Sequence, residues 1–162
     1  MRKVVFLVAL LFVFAAPAAA WVKPVDGPVV RPFEPPRTRY GAGHLGVDFR
    51  AGPGTPVRAA GPGVVVFAGR VGTELDVVVR HPGGLRTTYA FLSSVAVHAG
   101  DSVQAGTIVG RSGGTGPNHD GSVVHFGLRI GATYVDPMQL FRPPDLGAVV
   151  HLAPVEPEHP GG

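Results

Sequence analysis

The chain of 162 residues has no cysteine, so no disulfide can staple it. An exported domain built this way must be held by burial, or by burial together with a bound metal. Lysine is almost missing too, with only Lys3 and Lys23. The formal charge is +3 at pH 7, and Arg2 and Lys3 account for two of those charges. No block of like charge remains elsewhere, which excludes a phosphate-tracking stripe for nucleic acid and a polybasic patch for a membrane surface. Sustained helical periodicity is scarce over residues 40–142, where Gly and Pro interrupt most of the chain, and little helix is expected. The longest apolar run, residues 4–16, is roughly 13 residues, against the roughly 20 that span a bilayer as a helix.

What is there begins with that run. Arg2 and Lys3, the apolar stretch and the small Ala18-Ala19-Ala20 before Trp21 predict a signal peptide over residues 1–20, and hence a secreted, cell-envelope protein with no membrane attachment after cleavage. The remainder is the usual size of one domain with one core. Residues 21–39 carry Pro24, Pro28, Pro32, Pro35 and Pro36 and predict an extended lead-in that hugs the domain. Residues 143–162, with five further prolines and a Gly-Gly end, predict a loose tail.

Between them, residues 40–142 read as short strands. Val64-Val65-Val66-Phe67-Ala68, Leu75-Asp76-Val77-Val78-Val79, Leu85-Arg86-Thr87-Thr88-Tyr89, Thr107-Ile108-Val109-Gly110 and Val123-Val124-His125-Phe126-Gly127-Leu128 are rich in β-branched and aromatic residues. Pro82-Gly83-Gly84 marks a hairpin between two of them. An internal echo, Gly54-Thr55-Pro56-Val57-Arg58-Ala59 and Gly100-Asp101-Ser102-Val103-Gln104-Ala105, has the form Gly-x-x-Val-x-Ala twice, each followed by Gly and an apolar strand. The expected fold is all-β, a barrel-sandwich of two similar half-motifs with mostly antiparallel strands and little helix.

His44, Asp48 and His125 are the residues with the chemistry to hold a metal. Two imidazoles and a carboxylate suit zinc, which in catalytic sites takes three protein ligands and keeps a fourth position for water. His44 and Asp48 in an extended strand would be about 13 Å apart. Chelation therefore needs a bend, and Gly46 is where the chain could make one. Taken singly, each of the three also has an ordinary reading as a loop, turn or strand residue.

In this context the sequence resembles the lysostaphin-type, or LytM-like, zinc endopeptidases of bacterial cell walls. That family carries a His-x-x-x-Asp motif early in the domain and a His-x-His motif near its end. The resemblance runs through His44-Leu45-Gly46-Val47-Asp48-Phe49, Gly54-Thr55-Pro56-Val57, Gly63-Val64-Val65, Thr88-Tyr89-Ala90, Gly100-Asp101-Ser102-Val103, Gly114-Thr115-Gly116, His125-Phe126 and Val135-Asp136-Pro137. It implies Zn2+ held by His44, Asp48 and His125. It also implies two further histidines, whose positions are filled here by Phe91 and Val123. Neither replacement can accept a proton or donate a hydrogen bond. Gly127 stands where the family often has Glu, and the chain looks like a divergent branch in which the catalytic histidines are commonly missing.

General acid–base assistance contributes typically 10²- to 10⁴-fold and an oxyanion donor on the order of 10²- to 10³-fold, so loss of both would remove most peptidase turnover. His119 is a possible substitute, with His81, Glu74, Asp76 and Tyr89 as further candidates; Tyr89, two residues before Phe91, would share its strand face. The resulting expectation is a zinc-binding, cell-envelope protein that acts on or binds peptidoglycan or its stem peptides, with weak or no peptidase activity, and that could act with a cell-wall hydrolase. The alternatives are an active zinc metalloendopeptidase cutting peptide cross-links and a metal-free interaction domain. The half-motif architecture also resembles lipoyl- and biotin-carrying domains, but those need a lysine at a hairpin tip, and Lys23 lies in the lead-in.

Overall fold

The computed structural model describes residues 20–38, 41–116 and 119–142. The expected tail and residues 1–19 of the expected signal lie outside the described residues. Eleven strands run in chain order: β1 (Val29–Arg31), β2 (Val47–Arg50), β3 (Pro56–Arg58), β4 (Gly63–Val71), β5 (Glu74–Arg80), β6 (Leu85–Ala90), β7 (Leu92–Val95), β8 (Ser102–Val103), β9 (Ile108–Ser112), β10 (Val123–Ile130) and β11 (Thr133–Val135). The helical segments among the described residues are short 3-10 turns at Pro82–Gly84, which closes the β5–β6 hairpin, and at Pro137–Phe141. No helix among the described residues is long and apolar enough to cross a membrane.

The strands form a larger sheet in the order β1-β2-β10-β6-β5-β4-β8, with β11 also paired to β10, and a smaller sheet in the order β3-β9-β7. All pairs are antiparallel. The sequence echo has a structural counterpart: β3, bearing Val57, pairs with β9, while β8, bearing Val103, pairs with β4. Each half-motif thus gives its valine strand to the long strand that follows the other. Val57 and Val103 are both buried.

Period-two alternation divides the larger sheet into a core face and a groove face. Val77 and Val79 of β5, Thr87 and Tyr89 of β6, and Val124, Phe126 and Leu128 of β10 are buried. Phe126 packs at 5.4 Å from Tyr89 and 6.3 Å from Phe49, ring centroid to ring centroid. The intervening residues Thr88, Ala90, His125 and Gly127 line a cavity on the opposite face.

The lead-in is part of the domain. The Val22 and Arg58 N–H groups donate to the Ala60 and Pro24 carbonyls, the Arg50 N–H donates to Pro28, and β1 pairs with β2. Val25 is buried, and Trp21 meets the His81 ring edge-on at 4.9 Å.

Candidate metal centre

Strand register brings the site together. In the β2–β10 pair, His125 stands directly opposite Asp48 and Phe126 opposite Val47. His44 precedes β2 and is fixed by a two-way backbone pairing with Glu34 of the lead-in. Between His44 and Asp48 the chain bends at Leu45 and Gly46. The bend needs glycine: a Cβ on residue 46 would stand 2.5 Å from the Phe126 carbonyl oxygen and 2.6 Å from His125 Nε2.

Three ligand atoms converge. His44 Nε2 is 3.0 Å from Asp48 Oδ1 and 3.0 Å from His125 Nδ1, and His125 Nδ1 is 2.8 Å from Asp48 Oδ1. His44 Nδ1 lies 2.7 Å from the Pro32 carbonyl. A carbonyl can only accept, so Nδ1 carries the hydrogen and Nε2 of the neutral ring presents its lone pair inward. Three atoms that all carry lone pairs repel at this spacing unless a cation, a proton or a metal, lies among them. The donor set and the carbonyl that orients His44 fit a zinc ion.

Asp48 is 4% exposed. Burial alone would raise its pKa, but the His125 hydrogen bond and the charges of His44, His125 and His119 outweigh it and hold the carboxyl below its usual range. The Asp48 carboxylate is therefore ionised at neutral pH.

The two positions implied for catalytic histidines both face this site. Val123, two residues before His125, lines a shallow cavity with Asp48, Gly116, His119, Asp120 and Ser122. Phe91 lines the second cavity, about 310 Å³ in volume, together with His44, His125, His119, Glu74 and Asp76. Phe91 sits at φ 59°, the left-handed region that side-chain-bearing residues rarely adopt. This kink lies between β6 and β7, which belong to different sheets.

The kink corrects the expectation for Tyr89. Two residues apart on a regular strand, Tyr89 and Phe91 would share a face, but the positive φ breaks the alternation. Tyr89 is fully buried on the core face, where its hydroxyl accepts from the Ala60 N–H at 2.7 Å and bonds Thr87 at 3.0 Å. Burial pushes its pKa up to about 12, and it is no acid for the groove. His81 is also remote from the groove: Nδ1 donates to the Pro62 carbonyl at 2.7 Å and Nε2 is 2.7 Å from Thr87 Oγ1.

His119 does reach the site. Its Nε2 is 3.5 Å from Asp48 Oδ2, and its ring stacks on Phe91 with centroids 3.6 Å apart and planes 16° from parallel. Glu74 and Asp76, which in the sequence are only residues near a turn, stand on the cavity wall. Desolvation first, and then the neighbouring Glu74 charge, raise Asp76 to about 6 despite a hydrogen bond from the Phe91 backbone and the charge of His125. The signal for both carboxylates was in the sequence: they alternate with Val77 and Val79, so if the valines face the core, Glu74 and Asp76 face away from it. Leu45, Thr88 and Tyr134 complete the wall and had no distinguishing signal.

Residues 42–137, which include all three converging side chains, match the model of Peptidase family M23. The DD-carboxypeptidase/endopeptidase Mpg of Neisseria meningitidis is 39% identical over 101 residues, covering 62% of this chain and 23% of that protein. A zinc containing peptidase from Vibrio cholerae superposes with a TM-score of 0.67 at 26% identity, over 78% of this chain and 40% of that one. The catalytic domain of the antimicrobial peptidase lysostaphin from Staphylococcus simulans does so with a TM-score of 0.63 at 30% identity, over 72% of this chain and 92% of that one. The chain spans about half the length, 55%, of the curated relatives that it matches over 139 residues.

Proposed function

The chain belongs to Peptidase family M23, and on that premise we propose that it is an exported, zinc-binding domain of the cell envelope that engages the peptide part of peptidoglycan with weak or no turnover. The observation that carries this reading is the convergence of His44, Asp48 and His125 beside Phe91 and Val123. Zinc held by those three residues would supply a Lewis acid for a peptide carbonyl or carboxylate, or for water. The rest falls to the chain itself. His44, oriented by Pro32, and His125, opposite Asp48, present nitrogen lone pairs, and the ionised carboxylate supplies charge. Phe91 and Val123 bring apolar surface where a proton acceptor and an oxyanion donor would be needed. Peptide-directed relatives, among them a DD-carboxypeptidase/endopeptidase and a glycyl-glycine endopeptidase, support a peptide ligand.

Metal analysis paired with a cell-wall digestion assay tests the proposal. Purified protein is expected to hold one zinc per chain, to lose it on His125→Ala, and to release little soluble peptide from cell walls. The Phe91→His, Val123→His double variant is expected to release more. Absence of zinc from the wild type would overturn the metal assignment, and vigorous chelator-sensitive release by the wild type would replace weak turnover with an active endopeptidase.

A further inference from the structure

Phe91 occupies the position of a family histidine, yet the structure spends a strained backbone conformation on it. A bulky residue at φ 59° persists only where its surroundings over-determine it. Here they do: the Gly114 N–H donates to the Phe91 carbonyl at 3.0 Å. Gly116 crowds the ring so closely that a Cβ there would stand 2.4 Å from Phe91 Cε1. The kink turns the ring out of the strand alternation and into the groove, 92% of the residue being covered.

What lies on that ring is another imidazole. His119 is stacked on Phe91, and its side chain is 9% exposed. Paired backbone hydrogen bonds with Gly116, at 2.9 and 3.1 Å, fix it from behind. Its Nε2 faces Asp48 Oδ2, while Oδ1 is the oxygen that meets His44 and His125. One carboxylate is thereby addressed from both sides, by the two converging histidines on one oxygen and by His119 on the other.

We propose that His119 is the outer partner that positions Asp48 as a metal ligand, and that Phe91 is the platform that holds His119 in place. The pair supplies from a loop an imidazole that the strand position no longer carries. Position 91 is then a working part of the site rather than a lesion in it. The chemistry follows from how metal sites are supported: His119 Nε2 stands within ion-pair reach of Asp48 Oδ2, at 3.5 Å, and a ligating carboxylate that loses its outer supporting group typically binds metal about 10- to 100-fold more weakly. His119 is a positioning residue in this account, acting through Asp48. The inference rests on the zinc assignment above.

A double-mutant cycle read in zinc affinity, measured by competition with a chromophoric chelator, tests it. His119→Ala is expected to weaken zinc binding about 10- to 100-fold. His119→Gln, which keeps an N–H donor at similar reach, restores most of that loss. Phe91→Leu removes the stacking surface; it weakens zinc binding in the wild-type background and adds little on top of His119→Ala, whereas a merely structural role for Phe91 would give independent, additive losses. Unchanged affinity in His119→Ala, failure of His119→Gln to restore it, or additive losses would overturn the inference while leaving the zinc assignment standing. A wild type that takes up no zinc overturns both.

Discussion

Individual residues set the tolerances of the site. Gly46 is among the tightest, because its missing side chain is where the His125 ring and the Phe126 carbonyl pass. Gly46→Ala must push β10 away from the bend, and overpacking of this kind costs about 1–3 kcal/mol. The expected result is a lower urea midpoint together with weaker zinc uptake. Gly127 faces the same groove but is open: a Cβ there would meet Leu45, Thr88 and His125 no closer than 3.5 Å. Gly127→Ala should therefore leave both measurements nearly unchanged. Asp76 makes a different kind of prediction. Its folded-state pKa, about 6, lies above the ordinary 3.8, so the folded chain holds the proton more tightly. Stability from this group falls as pH rises from about 4 to about 6, and its cost is fully present above that. Asp76→Asn is expected to raise the melting temperature near neutral pH and to give no gain near pH 4.

At the scale of elements, alternation made the strands legible and a backbone irregularity hid part of the site. The apolar runs around Val65, Val77, Thr87, Val109 and Val124 all became strands, and Pro82-Gly83-Gly84 became the hairpin turn, because these signals are local. The Gly-x-x-Val-x-Ala echo pointed to two half-motifs, but the exchange of β3 and β8 between them is a long-range pairing that no local pattern encodes. Phe91 shows the converse. Period two puts it with Tyr89, and only the tertiary tie to Gly114 turns it into the groove. The lead-in also acts as an element: it carries Val25 into the core, holds the Glu34 pairing to His44, and supplies the Pro32 carbonyl that orients the ring. Removing residues 20–34 is expected to cost at least about 1.5–3 kcal/mol, the contribution of burying one such side chain. Loss of zinc binding should accompany it, read by metal analysis on the truncated protein.

Across the whole molecule, pH and metal should act through different groups. His81 is buried in a network with Pro62, Thr87 and Trp21, and desolvation lowers its pKa below 6.5 even though the Pro62 carbonyl favours the charged form. The folded state prefers the neutral ring. Its contribution is therefore present above the ordinary histidine value, about 6.5, and is lost as pH falls below it toward the folded pKa. His81→Gln is expected to flatten the acid side of a plot of melting temperature against pH. A bound metal stabilises whatever state binds it, so a chelator should lower the melting temperature of the zinc-loaded wild type and leave His125→Ala unaffected.

The sequence by itself determined the all-β character, the half-motif repeat and the family, and it pointed to the three side chains that converge, because alternation, turn residues and motif spacing are written locally along the chain. Tertiary structure decided which of the remaining polar groups share the groove with them. It excluded Tyr89 and His81 and brought in His119, Glu74 and Asp76, since a kink at one residue, a loop folded onto one ring and strands paired across the sheet depend on contacts between residues far apart in sequence.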